Sequence, residues 1–173
     1  MKAVVDIAVS LDGFIARRDG SLDWLPGADG EDYGFGAFME IVDMLIMGRR
    51  TYEKALTFGE WPHRLPVVVL SSRPPESPAS PCTGVEWMYC PPGEVVDRLS
   101  ARGAELIYVD GGVTIQRFLD AVLIDRLILT RVPVLIGDGV PLFGPLRKDI
   151  TLRHVETRSF ATGLVQSAYD VVT

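Results

Sequence analysis

At 173 residues with 47% hydrophobic side chains, the chain has the length of one ordinary domain and enough apolar mass to bury a core without metals or disulfides. Its formal net charge of −6 argues against a nucleic-acid partner, because phosphate backbones reward clustered Lys and Arg; any anion site has to be local. No run of about 18 apolar residues is present, and Asp6 interrupts the first apolar run too early for a signal peptide, so the sequence reads as a cytoplasmic protein with no membrane partner.

The first segment, residues 3–9, is rich in Val, Ile and Ala, as expected of a strand buried on both faces, and it ends in the turn Ser10-Leu11-Asp12-Gly13. From Glu31 the apolar residues Phe35, Phe38, Met39 and Val42 follow the spacing of an amphipathic helix, which feeds a strand over 44–47. Gly48 breaks that strand, 49–57 can form a helix, and 67–70 is a third strand. Four prolines between 74 and 81 rule out a ladder or helix interior there, which makes this stretch a surface loop.

A short strand over 85–88, a helix over 94–101 stopped by Gly103 and a strand over 106–109 continue the alternation. Asp110-Gly111-Gly112 opens a helix running through Leu119, and 126–132 is the next strand. The last thirty residues differ: 152–160 and 164–172 are strand-like and are joined by the three-residue hairpin loop Ala161-Thr162-Gly163. The expected fold class is therefore α/β, a single three-layer domain over 1–173, with a mostly parallel mixed sheet closed by an antiparallel hairpin. Cys82 and Cys90 show neither CxxC spacing nor neighbouring His, so both read as reduced thiols and no metal site is expected; His63 and His154 read as structural or surface residues.

Two strand-to-helix junctions combine glycine with groups suited to phosphate. Met47-Gly48-Arg49-Arg50-Thr51-Tyr52-Glu53 offers close backbone approach, two guanidinium forks and a hydroxyl; Val109-Asp110-Gly111-Gly112-Val113-Thr114 offers a glycine pair and a hydroxyl at a helix start. Between them Leu70-Ser71-Ser72-Arg73 ends a buried strand with two hydroxyls and a charge. Each motif alone reads equally well as a tight turn with solvated arginines, and the lack of GxGxxG disfavours a Rossmann site.

Taken in order, these motifs resemble the cofactor motifs of dihydrofolate reductases. Ala8-Val9-Ser10-Leu11-Asp12-Gly13-Phe14-Ile15-Ala16 and Val132-Pro133-Val134-Leu135-Ile136-Gly137-Asp138-Gly139 resemble more closely the reductase domain of riboflavin-pathway deaminase-reductases and their stand-alone relatives. The resemblance spans almost the whole chain and implies a dihydrofolate-reductase-like fold and NADPH as cofactor. Gly48, Arg49, Arg50 and Thr51 would hold the pyrophosphate and adenosine side, Ser71, Ser72 and Arg73 the ribose 2′-phosphate, Gly111, Gly112, Val113 and Thr114 the pyrophosphate, and Ala8, Val9 and Ile15 the nicotinamide. A 2′-phosphate pocket lined by arginine favours NADPH over NADH.

On the substrate side, a pyrimidine-type or pterin-type small molecule is implied, with Asp12 and Asp29 as the candidate catalytic carboxylates and Trp24 and Trp61 as cleft walls. Asp29 reads either as the partner of an aminopyrimidine amidine or as a loop or N-cap aspartate; Asp12 reads either as a neighbour of the nicotinamide or as turn chemistry. Tyr33, Phe35 and Phe38 fit either cleft or core. Val113 stands where folate reductases carry arginine, and Arg64 is one position out of register with the folate-tail arginine, which disfavours dihydrofolate reduction. The alternatives to a riboflavin-type reductase are a dihydrofolate reductase and a nucleotide-binding module without turnover. Dimerisation through a sheet edge is expected, with the apolar strand 127–134 as its candidate.

Overall fold

The computed structural model describes residues 1–26, 32–58, 64–73 and 84–172. The strands are β1 Lys2–Ser10, β2 Phe14–Ala16, β3 Met44–Gly48, β4 Val67–Leu70, β5 Val85–Met88, β6 Leu106–Asp110, β7 Arg126–Val132, β8 Val140–Pro141, β9 Thr151–Ser159 and β10 Val165–Val172. The helices are α1 Phe35–Ile41, α2 Arg49–Ala55 with a one-turn 3-10 helix Leu56–Phe58 after it, α3 Pro92–Ala101 and α4 Gly112–Asp120.

Eight strands form one sheet in the order β5-β4-β3-β6-β1-β7-β10-β9. All neighbours from β5 to β7 are parallel, and the β9–β10 hairpin closes the sheet antiparallel to β7. Strand alternation splits the apolar side chains between two layers. Ala3, Val5, Val9, Ile46 and Ile107 pack with Leu99 of α3 and Phe118 of α4; Val4, Leu45, Met47 and Tyr108 pack with Phe38 of α1 and Tyr52 of α2 on the opposite face. The expected three-layer α/β architecture is thus observed, with its antiparallel hairpin. No helix among the described residues is long and apolar enough to cross a membrane.

One expectation about the sheet is corrected. Strand β7 lies between β1 and β10, so its N–H and C=O groups are already paired and it cannot serve as a dimerising edge; the sheet's edges are β5 and β9. The turn region after β1 carries the small antiparallel pair β2–β8, of three and two residues, too short for any periodic signal. The proline-rich stretch 74–81, Cys82, His63, Trp61 and Asp29 lie outside the described residues; Cys90 is a free thiol.

Asp43 ties two of these strands together. Its carboxylate accepts N–H bonds from Glu105 (2.7 Å) and Leu106 (2.8 Å), fixing the start of β6 beside β3. Those bonds, Leu106 first, hold its pKa below the ordinary carboxylate range. Its stabilising contribution is therefore present above about pH 4 and is lost as pH falls through the folded pKa. Asp43→Asn is expected to melt below the wild type at pH 7, the two converging in strong acid; thermal scans across that range check it.

Candidate functional site

The connections out of β3 and β6 diverge. From β3 the chain moves through α2 toward β4 on one face, and from β6 it moves through α4 across to β7 on the other. Such a switch point opens a crevice beyond the carboxyl ends of neighbouring parallel strands, where ligands bind in open α/β sheets. The glycines of both predicted junctions stand there: Gly48 ends β3, and Gly111 and Gly112 follow β6, next to it in the sheet.

The two junctions interlock. A Cβ on Gly48 would sit 2.8 Å from Thr114 Oγ1 of α4, and a Cβ on Gly111 would run into Thr51 Oγ1 of α2. Each helix start is thus seated against the other's glycine. Gly111 holds φ 88° and ψ 132°, a region essentially restricted to glycine. Among the described residues no side chain caps the N-terminus of α4, so the first N–H groups of this helix have no side-chain partner, and Val113 in its first turn is 54% exposed.

Other predicted residues take more specific places. Arg50, Ser72 and Arg73 are exposed at the ends of α2 and β4, while the mostly buried Arg49 gives its Nε to Glu53 at 2.7 Å. Ser71 closes a local turn, its Oγ accepting from Arg73 N–H and donating to the Arg73 carbonyl. Ala8 faces the cluster of Trp24, Val132 and Leu164, but Val9, the next residue on the strand, is turned into the α3–α4 core; only its backbone can border a ligand. Ile15 packs beside Gly112.

Asp12 braces a loop: its carboxylate accepts from Ser10 Oγ (2.6 Å), Gly137 N–H (2.7 Å) and Ile136 N–H (3.3 Å), bonds that hold its pKa low. Trp24 is buried rather than lining an open cleft, and its indole N–H meets no partner among the described residues. Of the aromatics left between cleft and core, Phe38 is core and Phe35 is exposed, though both rings meet Tyr108 edge-on.

Two carboxylates were not singled out by sequence reasoning. Asp6 lies mid-strand in β1 and is only 8% exposed; burial pushes its pKa up to about 6. Asp110 ends β6, where burial also raises its pKa against the lowering effect of the Gly111 N–H bond. Tyr108 connects them, donating its hydroxyl to the Asp6 carbonyl at 2.8 Å with both carboxylates close enough to add to the rise that burial imposes on its own pKa. The signal was present in Ala-Val-Val-Asp-Ile-Ala-Val, a lone carboxylate inside a run that is otherwise fit to be buried.

The sequence model of the RibD C-terminal domain family matches residues 2–166. The chain belongs to that family. Among its relatives is the uncharacterised Bacillus subtilis protein YwjB, 36% identical over 163 residues and 92% of each chain. A solved structure from Shewanella sp. PV-4, of a protein provisionally assigned to riboflavin biosynthesis, is 40% identical over 100% of both chains with a TM-score of 0.93. The deaminase and 5-amino-6-(5-phosphoribosylamino)uracil reductase of Thermotoga maritima shares the fold at 16% identity and a TM-score of 0.74, with 99% of this chain matching 56% of that one. As a RibD C-terminal domain, the chain carries the fold of a reductase domain.

Proposed function

We propose that this RibD-type domain is an NADPH-dependent reductase related to 5-amino-6-(5-phosphoribosylamino)uracil reductase. The observation that carries the reading is the uncapped N-terminus of α4, placed by Gly111 at the divergence of β3 and β6 and faced by the Gly48-Arg49-Arg50 junction. A diphosphate would accept from the first N–H groups of α4, with Gly48 allowing close approach. Arg73 and the Ser72 hydroxyl, at the end of the neighbouring strand β4, would meet the ribose 2′-phosphate, with Ser71 shaping the turn that presents them. When bound, the cofactor supplies a hydride from its nicotinamide; the chain's part is to place that ring beside Ala8 and to exclude water from a C=O or C=N substrate.

Arg73→Ala should weaken NADPH at least tenfold while changing NADH little, since the 2′-phosphate is the group that distinguishes them. Fluorescence titration with both cofactors reads this directly. Equal losses would remove Arg73 from the assignment, and no NADPH binding by the wild type would remove the reading itself. Binding without oxidation by any aminopyrimidine or pterin would make the domain a nucleotide-binding module.

A further inference from the structure

Helix α4 begins against the small pair β2–β8. A Cβ on Gly112 would sit 3.0 Å from the Pro141 carbonyl oxygen, 3.1 Å from Val140 Cγ1 and 3.2 Å from Ile15 Cδ1, so both strands of the pair wall the first turn of the helix. One turn further on, Gln116 donates its amide N–H to the Pro141 carbonyl at 2.9 Å. Strands of three and two residues do not hold such a place by themselves, because a lone two-stranded pair is marginal in water even at greater length.

What holds the pair converges on Asp12. Ser10, buried at the end of β1, accepts the Phe14 N–H (2.9 Å) at the start of β2 and donates its hydroxyl to Asp12 (2.6 Å). The Asp12 oxygens also accept the N–H groups of Gly137 (2.7 Å) and Ile136 (3.3 Å), in the loop that leads into β8. Just past β8, the Leu142 N–H donates to the carbonyl of Gly13 (3.0 Å), the residue beside Asp12. The other charged link between these loops, Arg18 to Asp138, is exposed on both sides and contributes little. The Asp12 carboxylate therefore joins the entry of β2 to the entry of β8, and the joined pair lies on Gly112.

We propose that Asp12 is a positioning residue for the cofactor: without touching it, Asp12 holds the β2–β8 pair against Gly112 and so fixes the wall beside which the diphosphate meets the first turn of α4. The ligand in this assignment rests on the reductase reading; the linkage rests on the bonds above. A charged acceptor shared by donors from two loops presets a conformation that the ligand would otherwise have to order on binding, and a preset site avoids that cost.

Titrations of the full chain with NADPH, followed by fluorescence, and with adenosine 2′-phosphate, followed by calorimetry, separate this role from general damage, because the second ligand keeps the 2′-phosphate end and lacks the diphosphate and the nicotinamide. Asp12→Ala should weaken NADPH about tenfold and leave adenosine 2′-phosphate unchanged. Asp12→Asn, which keeps one acceptor oxygen, should lose less. Gln116→Ala releases the same pair from α4 at its other end, so the two losses should overlap: the double variant should bind NADPH about as well as the weaker single variant, rather than with the product of both losses. Wild-type NADPH affinity in Asp12→Ala, equal losses for the two ligands, or losses that multiply in the double variant would each overturn the assignment. Should Asp12→Ala not fold, Asp12→Asn carries the same comparisons. A wild type that binds no NADPH strikes the reductase reading and this assignment with it, whereas failed comparisons in a chain that does bind NADPH strike this assignment alone.

Discussion

Gly111→Ala should lower stability by about 2–6 kcal/mol and weaken NADPH binding at least tenfold. Two costs add. The backbone at φ 88°, ψ 132° is closed to side chains at roughly 1–3 kcal/mol. The new methyl would also overlap Thr51 Oγ1, with Thr51 Cβ only 3.4 Å away, an overpacking cost of about 1–3 kcal/mol. For a chain of this size each kcal/mol shifts Tm by about 2–4 °C, so scanning calorimetry would resolve the effect easily. Gly48→Ala separates the terms, because Gly48 has an ordinary φ of −79° and its methyl would meet only Thr114 Oγ1 at 2.8 Å. It should cost less than Gly111→Ala. Adding Thr51→Ala should recover the overlap part of the Gly111→Ala loss and leave the backbone part, a coupling of about 1–3 kcal/mol in a double-mutant cycle. A Gly111→Ala protein with wild-type Tm and wild-type NADPH affinity would show that the two helix starts do not depend on each other.

That interlock shows how far the sequence could be read. Gly111-Gly112 between an apolar strand and a helical pattern announces a turn at a helix start, and Val67-Val68-Val69-Leu70 is legible as a buried strand whose bounds match β4. What one-dimensional spacing does not carry is which residues meet across the sheet. Thr51 and Thr114 look like two more hydroxyls beside glycines, and only the order β3-β6 makes each the neighbour of the other's glycine. Val9 and Ala8 look equivalent in a strand buried on both faces, yet the period of two sends them to opposite layers. The apolar strand at 127–134 reads as a possible edge because strand order is not a sequence property, and β10 returns to cover it. Asp12 reads as a candidate acid because its carboxylate is near the right turn, but the backbone N–H groups that occupy it come from Ile136 and Gly137, more than a hundred residues away. Asp6 was hidden for the same reason: its significance lies in the row Asp6, Ile128, Ala168 and Glu156, which four strands assemble.

Asp6→Asn is expected to stabilise the protein at neutral pH, by about 3 kcal/mol or about 6–12 °C in Tm. Burial pushes the folded carboxyl up to about 6, against an ordinary value of 3.8, and among the described residues no hydrogen bond or ion pair offsets that desolvation. The folded state therefore holds this proton more tightly than the unfolded one. Stability linked to Asp6 is greatest below about pH 4, declines as pH rises toward 6, and is fully lost above it; two units at 1.36 kcal/mol each set the magnitude. Asparagine is neutral at every pH and nearly isosteric, so the difference between variant and wild type should be large at pH 7.5 and close to zero at pH 4. The groups around it do not mimic this profile. Arg126 is ion-paired with Asp170 and Glu156 with Arg158, Tyr108 is pushed upward by burial, and Asp43, Asp120 and Asp170, with lowered pKa values, act below pH 4 and with the opposite sign. Asp110, also raised by burial, titrates in both proteins and cancels from the difference. Thermal melts of the two proteins from pH 4 to 7.5 measure it, and a constant difference across that range would mean that Asp6 is not held as an unpartnered carboxyl. A residue that weakens the fold by this much at working pH is the kind kept for a task rather than for packing.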